Sequence, residues 1–475
     1  MKILFVVSEV EDLAKTGGLA DVAKALPLAL KAMGHDVRIV KPYYKSVAEQ
    51  YQLQDACPRQ TLYAFDRPYE FGIKELDFQG VPVYCVDYPE YFHRQGLYSD
   101  GYHAYSDNAE RFAFFASAAL QVGKAMHFQP DIIHCNDWHT ALTPYFARTD
   151  SSGFYANSRV LLTIHNGAYQ GTHRFEDIPY LLPHQELRRQ LDGDALNFLR
   201  IGIRYAHKIN AVSPNYGQEL LTPLGSHNLY DEFHRRRHDV SGILNGCDYT
   251  QWDPHTDKYL PQNYTAEEFE GKQVCKAALQ KEFNLQTTAD IPIVGMVCRL
   301  TEQKGFGYLL PIIGHLLEHN VQLIIIGTGD PSVSDVLESH AKQHPEKCVF
   351  RNDFSVRLAH LVEAGSDFFL MPSLFEPCGL NQMYSLAYGT LPIVRAVGGL
   401  KDTVADLHDD PEQATGFVFE RPDASALLNC LRRALLFYHE YPQRFERMQR
   451  HAMSSRFTWQ DAALNYENLY NQMSA

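Results

Sequence analysis

Short apolar runs recur along the chain, and each gives way to polar residues or glycine. Residues 3–7 form the first and read as a buried strand. A loop over 11–18 follows. Apolar positions at helical spacing then run from Leu19 to about Met33, with Gly34 as C-cap and residues 36–40 as a second strand. Strand, glycine-bearing loop, helix and strand make a βαβ unit. Residues 60–86 read as short strands with Gly72 and Gly80 in turns, and 87–106 as a long loop rich in Tyr, His, Asp and Gly. Asp107 is expected to cap a long helix ending near His127. Strands over 131–135, 160–164, 209–212 and 242–244 end in Asn136-Asp137-Trp138-His139, in His165-Asn166, in Ser213 and in Asn245. Polar residues at strand ends of this kind form the ligand edge of a doubly wound sheet.

Residues 249–290 have few apolar runs and read as a linker with a helix. A second alternation follows: strand 291–298, helix 307–319, then strands 321–326, 348–350, 368–371 and 391–394. The stretch from 368 organises this half. Its apolar run stops at Pro372 and Ser373, Glu376 and Pro377 lie in a turn, and Cys378 to Asn381 open a helix that Gly389 stops. A carboxylate and a glycine therefore sit at a helix N-terminus on the C-terminal edge of a sheet, where free N–H groups attract anions. An ordinary strand-turn-helix with a tight glycine is the alternative. Lys15 with Gly17 and Gly18 offers a second anion site, without a G-x-G-x-x-G or Walker pattern. The fold class is therefore α/β, with two Rossmann-like domains facing across a cleft, over residues 1–245 and 246–455. The last 50 residues read as helical, and the aromatic stripe Phe457, Trp459, Tyr466 and Tyr470 reads as packing.

Composition narrows the function. Hydrophobic residues make up 45% of the 475, enough for sizeable cores. A formal charge of −14 argues against non-specific binding to nucleic acid or to an anionic membrane. Any anionic substrate must meet a local cluster of Lys and Arg. The nine Cys are scattered without a C-x-x-C pair, which suggests reduced thiols in a cytosolic, cytoplasmic protein. The first apolar run is a strand rather than a signal peptide, and no run approaches the ~18 residues of a membrane span. The 22 His form no H-E-x-x-H motif, and no metal site is read.

Four motifs occur in order: Lys15-Thr-Gly-Gly-Leu-Ala-Asp-Val22, His165-Asn166 with Tyr169-Gln170-Gly171, Arg299-Leu-Thr-x-Gln-Lys304-Gly305, and Phe375-Glu-Pro-Cys-Gly-Leu380. Together they resemble the bacterial glycogen synthases and plant starch synthases, over essentially the whole chain. The resemblance implies a GT-B fold with a last helix, 456–475, crossing back to the N-terminal domain. It implies transfer of glucose from ADP-glucose to the non-reducing end of an α-1,4-glucan such as glycogen, with retention and with neither metal nor cofactor. The chain departs from the family pattern in several places. Glu11 and Asp12 stand where a hydrophobic-Pro pair is usual, Leu374 where Arg is, and Asn381 where Thr is common. Leu224-Gly-Ser-His-Asn228 replaces a Gly- and Glu-bearing pattern in the 223–232 stretch, and Tyr384 stands where related transferases often carry a ribose-binding Glu.

The chemistry needs stabilisation of a leaving diphosphate and of an oxocarbenium-like carbon. Arg299 and Lys304, close together after one strand, can converge on the diphosphate; a solvated loop pair is the alternative. By resemblance the catalytic residues are His165, Arg299, Lys304 and Glu376. His165 brings its backbone carbonyl to the anomeric carbon and its ring to the sugar 6-hydroxyl, and Glu376 binds sugar hydroxyls. The donor site is Lys15, Gly17, Gly18, Asn166, Asn245, Phe354, Cys378, Gly379, Leu380, Asn381 and Tyr384, with Phe354 against adenine or else in the core. The acceptor site is Asp21, Asp137, Trp138, His139, Tyr169 and Gln170, with Trp138 as a flat platform for a pyranose or else buried packing. Two other functions stay open: a GT-B glucosyltransferase using UDP-glucose or another acceptor, and a catalytically silent glucan-binding protein.

Overall fold

The computed structural model describes residues 1–64 and 67–474. The chain divides into two compact units. Met1–Gly246 forms the first together with the C-terminal helix Trp459–Ser474, and Cys247–Thr458 forms the second.

The first unit is built on one large sheet. Its strands are β1 (Lys2–Val6), β2 (Asp36–Pro42), β3 (Gln54–Asp55), β4 (Gln60–Ala64), β5 (Arg67–Phe78), β6 (Val81–Asp87), β7 (Ile132–Asn136) and β8 (Arg159–Ile164), then, after the separate antiparallel pair β9 (Thr172–Arg174) and β10 (Ala195–Asn197), β11 (Lys208–Ala211) and β12 (Val240–Gly242). Seven run parallel in the order β12-β11-β8-β7-β1-β2-β6; β5 closes the edge antiparallel to β6, with β3 and β4 paired to it. Ile3 pairs with both Val37 and Ile132, which puts β1 at the centre. Ile3, Leu4, Phe5 and Val6 are at most 1% exposed, so both faces of β1 are covered and its run is apolar throughout. Each such side chain stabilises the fold by about 1.5–3 kcal/mol relative to exposure. The chain winds from β1 to β2 on one side and takes up β7 on the other. Such a reversal opens a crevice at the carboxyl ends of the two strands.

The second unit repeats the plan. Its strands are β13 (Ile293–Val297), β14 (Gln322–Ile326), β15 (Cys348–Arg351), β16 (Phe368–Met371), β17 (Leu391–Arg395) and β18 (Phe417–Phe419), all parallel in the order β15-β14-β13-β16-β17-β18. Its reversal lies between β13 and β16, so the loops beginning at Cys298 and Pro372 flank the crevice.

Some local expectations are corrected. Asp107 does not cap the helix Asn108–Ala125 through its side chain; both its oxygens bind Arg94, at 2.7 and 2.6 Å. Gly72 lies within β5, facing Asp87 on β6, whereas Gly80 does turn the chain, at φ +83°. The helix expected over 307–319 is broken into Phe306–Leu309, a 3-10 turn Leu310–Ile312, and Ile313–Leu317. Pro311 has no N–H for the ladder and its ring crowds the preceding turn. The strand β18 was too short to stand out in the sequence. In the C-terminal helix Trp459, Tyr466 and Tyr470 are buried, and the helix packs on Gly18–Ala32 of the first unit. Tyr470 Oη lies 2.8 Å from His134 Nδ1 on β7.

Candidate active site

The loop after β1 is held from below by a carboxylate. Glu9 is 3% exposed. Its Oε2 accepts from Thr16 N at 2.6 Å and Gly17 N at 3.3 Å, and its Oε1 accepts from Thr16 Oγ1 and Tyr98 Oη, both at 2.6 Å. The clamp sets Gly17 and Gly18 at the N-terminus of Gly18–Ala32, which no side chain caps. A Cβ on either glycine would meet no described atom within 4 Å. Packing within the protein does not demand glycine there, and the bare backbone leaves room for an anion at a helix start. Lys15 Nζ pairs with Glu11 Oε1 at 2.9 Å and Asp21 Oδ1 at 2.7 Å. Burial pulls the Lys15 ammonium down, but the two carboxylates more than reverse this, so its pKa is raised. Burial pushes Asp21 up to about 6 against the opposing pull of Lys15.

The ends of β7 and β8 meet next. Asp137 has φ +59°, a conformation rare for a residue with a side chain, and its Oδ1 accepts from His165 N at 2.7 Å and Asn166 N at 3.3 Å. Burial pushes its carboxyl up to about 7. His165 Nε2 lies 2.9 Å from Asn136 Oδ1, while Asn136 Nδ2 donates to Val6 O at 3.1 Å. That donation fixes Asn136 Oδ1 as the acceptor, so the network assigns the His165 proton to Nε2 and the free lone pair to Nδ1. Burial holds the ring neutral, its pKa lowered to about 3. Asn166 Oδ1 accepts from Ala168 N at 3.1 Å, and Tyr169 is 62% exposed. Asn245 is buried, and its Oδ1 has no hydrogen-bond partner among the described residues.

Three acceptor-side residues make close contacts inside the unit. Trp138 is half-buried. Its ring lies 4.2 Å from His139 and 5.3 Å from Phe112, with Phe198 and His173 further round, and a Cβ on Gly171 would come 2.3 Å from it. His139 is 9% exposed, stacked at 4.6 Å on Tyr98, and burial lowers its pKa to about 3. The Gln170 amide is engaged inside the unit, donating to Gly167 O and His227 O and accepting from Asn197 Nδ2 at 2.6 Å. These contacts hold the loop within the unit, while Trp138 stays half-buried and His139 Nδ1 has no hydrogen-bond partner among the described residues.

In the second unit the loops after β13 and β16 are tied together. Lys304 Nζ is 2.6 Å from Glu376 Oε2, which also accepts from Ser373 Oγ at 2.9 Å. Gln303 Nε2 donates to Phe375 O at 3.1 Å, and Leu374 N donates to Gln303 O at 2.7 Å. Gly305, at φ +83°, lets Pro372 O approach to within 2.0 Å of where a Cβ would stand. Arg395 donates to Ser373 O at 3.0 Å and Leu374 O at 2.6 Å. Glu376 is thus 8% exposed and fixed by an ion pair, not a simple helix-capping acid. Arg299 is exposed, and its guanidinium makes no hydrogen bond or ion pair among the described residues.

The remaining donor-side residues surround this pair along the chain. Gly379 turns at φ +75°, Cys378 is buried, and Leu380 precedes the helix Asn381–Ala387. Asn381 Nδ2 donates to Val297 O at 2.9 Å, tying the helix to the end of β13. Phe354 is 65% exposed, which removes the core alternative. Tyr384 stacks at 4.0 Å on Trp252, which stacks in turn at 3.8 Å on His360, so one face of its ring is occupied.

Sequence reasoning missed Glu9, Asn136, Ser373, Arg395 and the pair Gly398-Gly399. A Cβ on Gly398 would lie 1.9 Å from Glu376 O, and one on Gly399 2.1 Å from Cys378 O. The signal was available: like Gly17-Gly18, this pair opens a helix just past a strand end. Among the described residues no group of three or more His, Cys, Asp or Glu is placed to hold a metal ion, and no helix is long and apolar enough to cross a membrane.

Comparison with known proteins follows the same division. A family described as the starch synthase catalytic domain matches residues 2–235, and one described as glycosyl transferases group 1 matches residues 280–451. The chain is 51% identical to a glycogen synthase of Aeromonas hydrophila over 100% of this chain and 99% of that protein. It is 50% identical to a glycogen synthase of Vibrio cholerae over 98% of each. Among solved structures it matches the catalytic domain of Starch Synthase IV from Arabidopsis thaliana bound to ADP and acarbose, with 31% identity, a TM-score of 0.87 and 99% of both chains covered. Sucrose-phosphate synthase from Thermosynechococcus elongatus, at 19% identity and a TM-score of 0.58, shares the fold alone.

Proposed function

The chain belongs to the glycogen and starch synthase family, and from that premise we propose that it transfers glucose from ADP-glucose to the non-reducing end of an α-1,4-glucan, with retention at the anomeric carbon. The observation that carries this reading is in the second unit. A buried carboxylate, Glu376, and two cations, Lys304 and Arg299, stand at the reversal point of a parallel sheet. Retaining transfer needs that combination: cations for the leaving diphosphate and a fixed acceptor for sugar hydroxyls.

Each group then has a task. Arg299 and Lys304 take up the negative charge that grows on the diphosphate; Lys15 and the backbone N–H groups at Gly18 and Gly379 are assigned to the donor diphosphate as well. Preorganised charge of this kind usually supplies the largest catalytic contribution. Glu376 keeps Oε2 on Lys304 and Ser373, and offers Oε1 to sugar hydroxyls. His165, neutral and donating through Nε2 to Asn136, offers Nδ1 to the sugar 6-hydroxyl. The acceptor hydroxyl loses its proton to the departing phosphate on the same face. The new bond therefore forms on the side the leaving group vacates, and no enzyme nucleophile is needed. Neither metal nor organic cofactor enters this scheme. The nine cysteines are unpaired, which fits a reducing compartment, and a cytoplasmic location is part of the proposal.

The test uses the full chain with glycogen and radiolabelled ADP-glucose or UDP-glucose in separate reactions. Label in precipitated glucan is expected from ADP-glucose. Incorporation from UDP-glucose alone would move the assignment to another donor, and none from either would return the chain to a glucan-binding role.

A further inference from the structure

The scheme above uses Lys15 but not the carboxylate beside it. Glu11 Oε1 lies 2.9 Å from Lys15 Nζ, and its Oε2 lies 3.6 Å from Lys24 Nζ. Lys24 has its own partner, Asp12, at 2.6 Å, and Lys15 has Asp21 at 2.7 Å. Three carboxylates thus share two ammonium groups. Glu11 cannot drift away: its N–H donates to Ala20 O at 3.0 Å, and Val10 N and Ala14 O close the turn at the same distance. Its side chain is 21% exposed, so its charge is only partly screened. Each lysine is already paired without it. Glu11 is therefore a surplus, fixed negative charge within one hydrogen bond of a cation assigned to the donor diphosphate.

We propose that Glu11 discriminates product from substrate, weakening the hold of Lys15 on ADP more than on ADP-glucose and so favouring product departure. The proposal rests on the reading of Lys15 as a diphosphate ligand. The chemistry lies in the charge of the two ligands. In ADP-glucose both phosphates are diesterified and carry one negative charge each. In ADP the terminal phosphate is a monoester and carries nearly one more at neutral pH, its second pKa lying near ~6. That additional charge, at roughly 6 Å from Glu11, is repelled by about threefold in binding at the dielectric of water and about tenfold at an effective value of about 40. Lys15 attracts that additional charge, and Glu11, further away, offsets part of the attraction.

The test measures KM for ADP-glucose and the competitive inhibition constant Ki for ADP, with glycogen saturating. It covers the full-length wild type, Glu11→Gln, Glu11→Asp and Lys15→Met, with melting curves for each. In Glu11→Gln the ratio of KM to Ki is expected to rise about threefold to tenfold at low salt, and to return toward the wild-type ratio at high salt. Glu11→Asp keeps the charge and is expected to keep the wild-type ratio, a rescue that a merely structural role would not produce. A folded Glu11→Gln enzyme with an unchanged ratio, or with weaker ADP inhibition, overturns the proposal. Lys15→Met separates the premise. If it leaves both constants unchanged, the reading of Lys15 fails and the proposal with it. If it weakens both while Glu11→Gln changes nothing, only the role of Glu11 fails.

Discussion

Replacing Lys304 by Gln keeps a polar side chain and removes the charge. If the ammonium meets the diphosphate as it leaves, kcat is expected to fall roughly 10²-fold or more, about 2.7 kcal/mol, with the KM for glycogen unchanged. Steady-state kinetics on a folded variant decide: near-normal kcat with only a raised donor KM would mean uniform binding and no leaving-group role. Arg299, Lys304 and Glu376 follow apolar runs, so the sequence puts them at the sheet's ligand edge, while their catalytic roles rest on the family resemblance. The Glu9 clamp was not legible there, because its partners Thr16 and Tyr98 are separated from it along the chain and only folding brings Tyr98 to it. Trp138 stayed between two readings for a related reason. A Trp at a strand end is compatible with both platform and packing, and its neighbours Phe112, Phe198 and Gly171 become visible only in the fold. Trp138→Ala is now expected to cost stability, about 3 kcal/mol or more. Chemical denaturation measures it. An unaltered midpoint together with a selectively raised glycogen KM would restore the platform.

At the scale of elements, the attachment of the C-terminal helix Trp459–Ser474 is expected to depend on pH. His134 on β7 lies beneath it, with Nδ1 at 2.8 Å from Tyr470 Oη and Nε2 at 2.7 Å from Thr163 Oγ1. Burial lowers its pKa to about 3, whereas an exposed imidazole takes its proton near ~6.5. Undocking the helix therefore takes up a proton between these values. Docking is at full strength above pH ~6.5 and weakens as pH falls toward 3, by up to about 1.4 kcal/mol per unit. Amide exchange over 459–474, corrected for intrinsic rates, should show less protection at pH 5.5 than at pH 7.5, relative to the helix Asn108–Ala125. Equal protection at both values would remove His134 from the attachment. The helix itself was legible from its aromatic residues. The break at Pro311 was readable from that residue alone and was overridden by the apolar periodicity around it.

At the scale of the whole molecule, the repeated alternation of strand and helix made two doubly wound units visible before any coordinate. It could not reveal the strand order. Which strands sit at the centre depends on crossovers, and the crevices between β1 and β7 and between β13 and β16 are consequences of that order. The proposed reaction places the diphosphate at Arg299 and Lys304, so ADP should slow amide exchange in residues 299–305 and 373–381 of the second unit. Unchanged exchange in both segments would contradict a diphosphate held there. The reaction itself is tested most directly in one vessel. Glycogen is incubated with the chain, carbon-14-labelled ADP-glucose and tritium-labelled UDP-glucose. The glucan is then digested with an exo-acting hydrolase specific for α-1,4 bonds at non-reducing ends. Carbon-14 should enter the glucan and be released early and completely by the digestion, with little tritium alongside. Tritium in place of carbon-14, or carbon-14 that resists the exo-hydrolase, would contradict ADP-glucose-dependent elongation of α-1,4 chains at their non-reducing ends.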